Sequence, residues 1–213
     1  MKYSHILWDF NGTLLDDVAL GIEVINLLLS RRGLRTLASR EEYQRVFQFP
    51  IEEYYRAVGF DFSKDPYDVL AHEWVKEYRL RENSLGLCPW AREALARIGE
   101  AKVPQVLFSA TQRKMLSEQL EPLKIAPYFA EILGNDNIYA VGKTEIGRAW
   151  AEKEKPSRAL LIGDTEHDAE AAKAMGIECV LVARGHQSAE RLKATGCRVY
   201  GELSPAMLKD LGF

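Results

Sequence analysis

Short apolar runs that end at polar or glycine-containing turns recur along this chain, and between them apolar residues fall at helical spacing. Tyr3 to Trp8 (YSHILW) and Arg158 to Ile162 (RALLI) read as buried strands of the kind that fill a parallel sheet. From Pro89 onward the two patterns alternate. Helix Pro89 to Ile98, strand Gln105 to Phe108, helix Arg113 to Leu120, short strand Glu131 to Gly134 and helix Thr144 to Lys153 come first. Strand Ala159 to Ile162, helix Ala169 to Met175, strand Cys179 to Val182, helix Ala189 to Ala194, strand Arg198 to Tyr200 and a last helix follow. Such alternation predicts an α/β fold, a doubly wound, mostly parallel Rossmann-like sheet.

Residues 16–85 break that rhythm. Asp16 to Arg32 has helical spacing behind two acidic residues suited to a helix start, and Gly33 suits its end. Arg40 to Arg81 stays helical, divided by Pro50, Pro66 and the Gly59-Phe60-Asp61 turn into about three short helices. The first strand precedes this stretch and the other strands follow it. The expectation is a discontinuous core, residues 1–15 and 86–213, with 16–85 inserted as an all-helical cap domain.

Composition narrows the function classes. With 213 residues the chain can bury a sizeable core, and 47% hydrophobic with 28% charged residues is ordinary for a soluble protein. A net charge of -3 gives no electrostatic footprint for nucleic acid or an anionic membrane. Cys88, Cys179 and Cys197 are scattered and odd in number, against a disulfide framework or a zinc knuckle. There is no basic region followed by an apolar leader and no run of about 18 apolar residues, so cytoplasmic residence is expected. The expected assembly is a monomer or homodimer.

Chemistry collects where strands end. Asp9-Phe10-Asn11-Gly12-Thr13 follows the first apolar run, and Gly163-Asp164 with Asp168 follows a later one. Ligand crevices of open α/β sheets lie outside the carboxyl ends of the strands, so both clusters are placed to face one site. Converging carboxylates repel one another and ask for a cation. Oxygen-only ligation suits Mg²⁺, which in turn suits a phosphate. Ser109 and Thr111 stand at the end of another core strand, where hydroxyls and neighbouring N–H groups, Ala110 included, are suited to phosphate oxygens as a helix begins. Lys143 opens a helix, where the macrodipole disfavours a cation unless something else wants it there.

The order Asp9 to Thr13, Ser109, Lys143, then Gly163-Asp164 with Asp168 resembles the haloacid dehalogenase superfamily along the whole chain, and the insert resembles the cap of phosphoglycolate phosphatase-like members. The resemblance implies a Mg²⁺-dependent phosphatase acting on a small phosphorylated metabolite, with phosphoglycolate as the nearest specific candidate. Asp9 would attack phosphorus to form an aspartyl phosphate. Asp9, Asp164 and the backbone carbonyl of Asn11 would hold Mg²⁺. Lys143 would add positive charge, and Ser109, Ala110 and Thr13 would bind phosphate oxygens. Asp168 would orient metal waters or Lys143.

The pattern departs at Asn11, where family phosphatases usually carry an Asp that is general acid and then base. An amide cannot donate and recover a proton at neutral pH, and a placed acid–base group is worth about 10²- to 10⁴-fold in rate. A slow phosphatase, a leaving group that needs no proton, an acid from the cap and a degenerate phosphate-binding site are the alternatives. A phosphonatase-like hydrolase would need a cap lysine, and Lys64 and Lys76 match no motif. A response-regulator receiver would be shorter and lack the insert. Four smaller expectations complete the reading: Trp8, Trp74, Trp90 and Trp150 as core or interface packing, His167 at the surface, Arg31-Arg32 and the Arg79-Leu80-Arg81 pair as solvated helix ends, and Phe47 to Tyr55 (FQFPIEEYY) as the substrate-contacting part of the cap.

Overall fold

The computed structural model describes residues 2–136, 139 and 142–213. Its centre is a six-stranded sheet of β1 (His5–Trp8), β2 (Gln105–Gln112), β3 (Glu131–Asn135), β4 (Ala159–Gly163), β5 (Glu178–Val182) and β6 (Arg198–Tyr200). The spatial order is β3-β2-β1-β4-β5-β6 and every pairing is parallel. Because side chains alternate across a strand, Ile6 and Leu7 point to opposite faces and both faces need cover. On one face Ile6 and Trp8 pack with Leu95 and Ile98 of α5 (Ala91–Glu100), Leu116 of α6 (Arg113–Leu123) and Leu208 of α10 (Pro205–Leu211). On the other, Leu7, Phe108 and Leu161 pack with Trp150 of α7 (Thr144–Glu154) and Ala171 of α8 (Glu166–Met175). Helix α9 (Ala189–Ala194) leads into β6.

Residues 16–85 contribute no strand to this sheet. They form α1 (Val18–Arg31), α2 (Arg40–Val46), α3 (Ile51–Ala57) and α4 (Tyr67–Arg79), gathered around Val24, Ile25, Leu28, Tyr55, Leu70 and Tyr78. A receiver domain has no place for such a segment. No helix among the described residues is long and apolar enough to cross a membrane.

Three expectations need correction. β2 runs on through Gln112 with a register shift after Phe108, so Ser109 and Thr111 lie in a strand and not at a helix start. Nothing apolar marks Ser109 to Gln112; the pairing with β3 and the bond from Asn135 Nδ2 to the Ala110 carbonyl, 2.7 Å, hold it. α8 begins at Glu166, three residues early, because the Thr165 N–H and hydroxyl both donate to Asp168 Oδ2, 3.0 and 2.7 Å, and cap its first turn. The arginines expected in solvent are paired: Arg31 with Glu73 and Glu77, Arg32 with Asp65 and Glu73, Arg81 with Glu23 and Glu77, and Arg79 with Glu118. Of the tryptophans read as core or interface packing, Trp8 and Trp150 are buried and Trp90 is 45% exposed.

Candidate active site

Register fixes the first contact. Trp8 pairs with Ile162 across β1 and β4, and the Asp9 N–H donates to the Ile162 carbonyl at 2.9 Å, so Asp9 and Asp164 leave neighbouring strands side by side. Oxygens of Asp9, Asp164 and Asp168 lie within 4.8 Å of one another, and all three residues are buried. At an effective dielectric near 20, each such pair repels by roughly 3 kcal/mol. One ammonium opposes them: Lys143 Nζ lies 2.6 Å from Asp9 Oδ1 and 2.5 Å from Asp168 Oδ1, and donates to the Phe108 carbonyl at 3.1 Å. Even with the His186 imidazole and Asp17 beside them, the three carboxylates outnumber the positive charges and leave an excess of negative charge in a buried space.

The titrations carry that imbalance. Burial raises the Asp9 carboxyl well above its usual range, Lys143 pulls it down, and Asp168 and Asp164 push it up. Asp164 is pushed up to about 6, by burial first and then by Asp168, against the lowering effect of His186. Asp168 is held low: burial would raise it, but Lys143 and the Thr165 hydroxyl prevail. A divalent cation between Asp9 and Asp164 would return both to the charged form. The oxygen-only, buried, over-negative donor set fits such an ion.

Glycines make room for this approach. Gly12 has φ +74°, open to glycine, and a Cβ there would lie 2.4 Å from Asp164 Oδ2. A Cβ at Gly185 would stand 2.0 Å from the same oxygen. Asp164 is held by the Thr13 hydroxyl, which donates to Oδ1 at 3.0 Å, and by the His186 N–H, which donates to Oδ2 at 2.5 Å. Thr13 therefore spends its hydroxyl on Asp164 and stands behind the cavity. Asp9, Asn11, Ser109, Ala110, Lys143 and Asp164 line that cavity.

Asn11 is clamped. Its Nδ2 donates to Asp17 Oδ2 at 2.8 Å, and its Oδ1 accepts from the Thr111 hydroxyl at 2.9 Å. Thr111 therefore serves Asn11. Asp17 also accepts from the Gly12 N–H at 2.9 Å and the Tyr78 hydroxyl at 3.0 Å, and His186 Nε2 lies 3.2 Å from its Oδ1. Burial works against a charge on Asp17, yet His186, Asn11 and Tyr78 together hold its carboxyl below the usual range. Burial works against a charge on His186 too, and Asp17 outweighs it, raising the imidazole to about 9.

A family model described as haloacid dehalogenase-like hydrolase matches residues 6–182. The chain belongs to the haloacid dehalogenase-like hydrolase family. Curated relatives of this hydrolase include proteins named phosphoglycolate phosphatase. One from Pseudomonas fluorescens is 25% identical over 216 residues, covering 96% of this chain and 75% of that one. One from Vibrio parahaemolyticus is 26% identical over 210 residues, covering 89% and 88%. A solved haloacid dehalogenase-like hydrolase from Streptococcus pneumoniae superposes with a TM-score of 0.82 at 18% identity, covering 99% of this chain and 98% of that one. The last likeness is one of fold.

In this hydrolase His167 is not the surface residue expected. It is 8% exposed, accepts the Lys143 N–H at 3.2 Å and stacks on Phe49 with centroids 4.7 Å apart. Asp17, Tyr43, Tyr78 and His186 were missed by sequence reasoning. For His186 a signal existed: it follows β5, at the end of the sheet where ligands bind. Phe47, Phe49, Ile51, Tyr54 and Tyr55 of the expected cap stretch line the cavity.

Proposed function

We propose that this hydrolase is a Mg²⁺-dependent phosphatase that cleaves a small phosphorylated metabolite through an aspartyl phosphate on Asp9, beneath a cap formed by residues 16–85. The single observation that carries the reading is the convergence of Asp9, Asp164 and Asp168 on one buried point with Lys143. Asp9, Asp164 and the main-chain carbonyl of Asn11 are the residues to hold Mg²⁺, which would supply the positive charge that lets a dianionic phosphate approach a carboxylate. Lys143 keeps Asp9 oriented and adds positive charge beside it. Asp168 has both oxygens committed, one to Lys143 and one to the α8 cap, so its role is to position the lysine. Ser109 Oγ accepts the Thr111 N–H at 3.1 Å, leaving its own proton for a phosphate oxygen. The relatives' names support phosphate-ester hydrolysis as the reaction class.

The test is hydrolysis of 4-nitrophenyl phosphate and a panel of sugar phosphates with Mg²⁺. Turnover is expected for the wild type, and Asp9→Asn should fall to the uncatalysed background. Acid quench during turnover should trap phosphate on the peptide that contains Asp9. No turnover on any ester would replace this reading with that of a phosphate-binding protein.

A further inference from the structure

We propose that the site takes phosphate monoesters of uncharged aryl alcohols, an assignment of the leaving group that rests on the phosphatase reading above. Two independent features carry it.

The first is the chamber. The cavity that begins at Asp9 has a volume of about 170 Å³, and Phe47, Phe49, Tyr54, Tyr55, Tyr67 and Trp74 are among its walls. An apolar cavity of about 150 Å³ accepts benzene, so the space is on the scale of one ring. The walls already pack edge to face, Phe47 on Tyr54 with centroids 5.1 Å apart and Phe47 on Phe49 at 5.7 Å, the geometry that a further ring would extend. Among the described residues lining the cavity, the basic side chains are Lys143, His167 and His186. Each is committed. Lys143 is held by two carboxylates and the Phe108 carbonyl. His186 meets the Tyr43 hydroxyl through Nδ1 at 2.6 Å and Asp17 through Nε2 at 3.2 Å. His167 accepts from the Lys143 N–H and lies 3.4 Å from Glu170. The undescribed residues are Met1, Asn137, Ile138, Ala140 and Val141, none of them basic. A leaving group with a carboxylate, such as that of phosphoglycolate, would be buried beside Asp17 with no counter-ion. The Tyr54 hydroxyl, buried and without a partner among the described residues, offers one neutral polar contact instead.

The second is Asn11, which has no proton to give and whose amide is fixed between Thr111 and Asp17. With no acid at position 11, and with both ring nitrogens of His186 engaged by Tyr43 and Asp17, the leaving oxygen departs as an anion. A phenol ionises near pH 10, as tyrosine does, whereas water, to which an aliphatic alcohol is comparable, needs about 15.7. In the first step Asp9 forms a bond to phosphorus, the phosphorus–aryl oxygen bond breaks, and the electron pair leaves with the aryl oxide, which takes its proton from water outside. In the second, water attacks phosphorus, the bond to Asp9 breaks, one water proton leaves on the phosphate and the other passes to bulk water, restoring the proton taken by the aryl oxide.

The experiment compares kcat/KM for phenyl phosphate, phosphoglycolate and glycerol 3-phosphate, with Mg²⁺, on the wild type and on Asn11→Asp. For the wild type, phenyl phosphate should exceed the other two by about 10²-fold or more. Asn11→Asp should raise glycerol 3-phosphate by about 10²-fold or more and phenyl phosphate by under about tenfold, because only the alkoxide needs the acid. Phosphoglycolate used as well as phenyl phosphate by the wild type, or equal gains for both esters in the variant, overturns the proposal. If no ester is hydrolysed, the phosphatase reading fails and calorimetry on the wild type decides the chamber. Phenylphosphonate bound about tenfold more tightly than phosphonoacetate would uphold the aryl preference of the chamber alone; equal or reversed affinities would overturn that as well.

Discussion

Lys143 shows how one residue can hold both the fold and the chemistry. Its ammonium sits between Asp9 and Asp168 in a space with almost no solvent, 2% exposed. Removing one partner of a buried charged cluster costs about 3–5 kcal/mol, because the remaining charges are left uncompensated. In a domain of this size 1 kcal/mol moves Tm by about 2–4 °C. Lys143→Met is therefore expected to lower Tm by roughly 6–20 °C in the absence of Mg²⁺. Adding Asp168→Asn should recover part of the loss, since the second change removes one of the orphaned charges. Calorimetry of the single and double variants checks this, and a single variant as stable as the wild type would mean that Lys143 does not neutralise the cluster. Placement at this scale was legible where it followed strand ends: Asp9 and Asp164 converge because apolar runs deliver them there, whereas Lys143, at the start of α7, was legible through the motif order. Asp17 was not legible, because an acidic residue before a helix has an ordinary electrostatic explanation. Its partner His186 lies 169 positions away, and only the fold joins them.

At the scale of elements, periodicity carried most of the reading and polar segments defeated it. Strands β1 and β4 are apolar on both faces and could be read directly. The extension of β2 beyond Phe108 and the first turn of α8 contain no apolar signal, since backbone pairing and a capping box hold them. The pairing of α1 with α4 was hidden for the same reason. Charged helix ends read as solvated, and which of them meet depends on how the helices cross. Arg32 contacts both Asp65 and Glu73, with side chains 18–31% exposed. Such half-exposed pairs contribute little each, so a double-mutant cycle on Arg32→Ala and Glu73→Ala should give a coupling of about 0.5–1 kcal/mol. The coupling should shrink when ionic strength rises from about 0.05 to 0.5 M, because shorter Debye lengths screen the pair. Urea titrations of the four proteins at the two salt concentrations measure it. A coupling that ignores salt would mean that charge attraction is not what joins Arg32 to Glu73.

For the whole molecule the question is what keeps the helical segment over the strand ends. Polar contacts converge from α2 and the residues just after it onto the loop that follows β5. Gln44 donates to the Gly185 carbonyl at 2.7 Å, and Arg40 donates to the Arg184 carbonyl. Gln187 Nε2 and Arg191 Nη1 both donate to the Phe47 carbonyl, each at 3.1 Å. The same loop carries His186 and Gly185, which hold Asp164 and give it room. Gln187 also accepts the Glu166 N–H at 2.7 Å, so one buried side chain ties the start of α8, the loop and the aromatic wall together. Fixing Phe47 in this way sets the aromatic chamber at its distance from Asp9. A hydrogen bond of this kind is worth about 1 kcal/mol net, and more when a buried partner is orphaned. Gln187→Ala should therefore raise KM for phenyl phosphate by roughly 5- to 30-fold, the equivalent of about 1–2 kcal/mol. The kcat should hold, or rise if opening of the segment limits release of product. Arg191→Ala, which removes a more exposed contact to the same carbonyl, should shift KM in the same direction by less. Steady-state kinetics on both variants, read beside their thermal stabilities, separates the outcomes. A lowered Tm with KM unchanged would mean that these bonds hold the fold but do not position the wall against which the substrate binds.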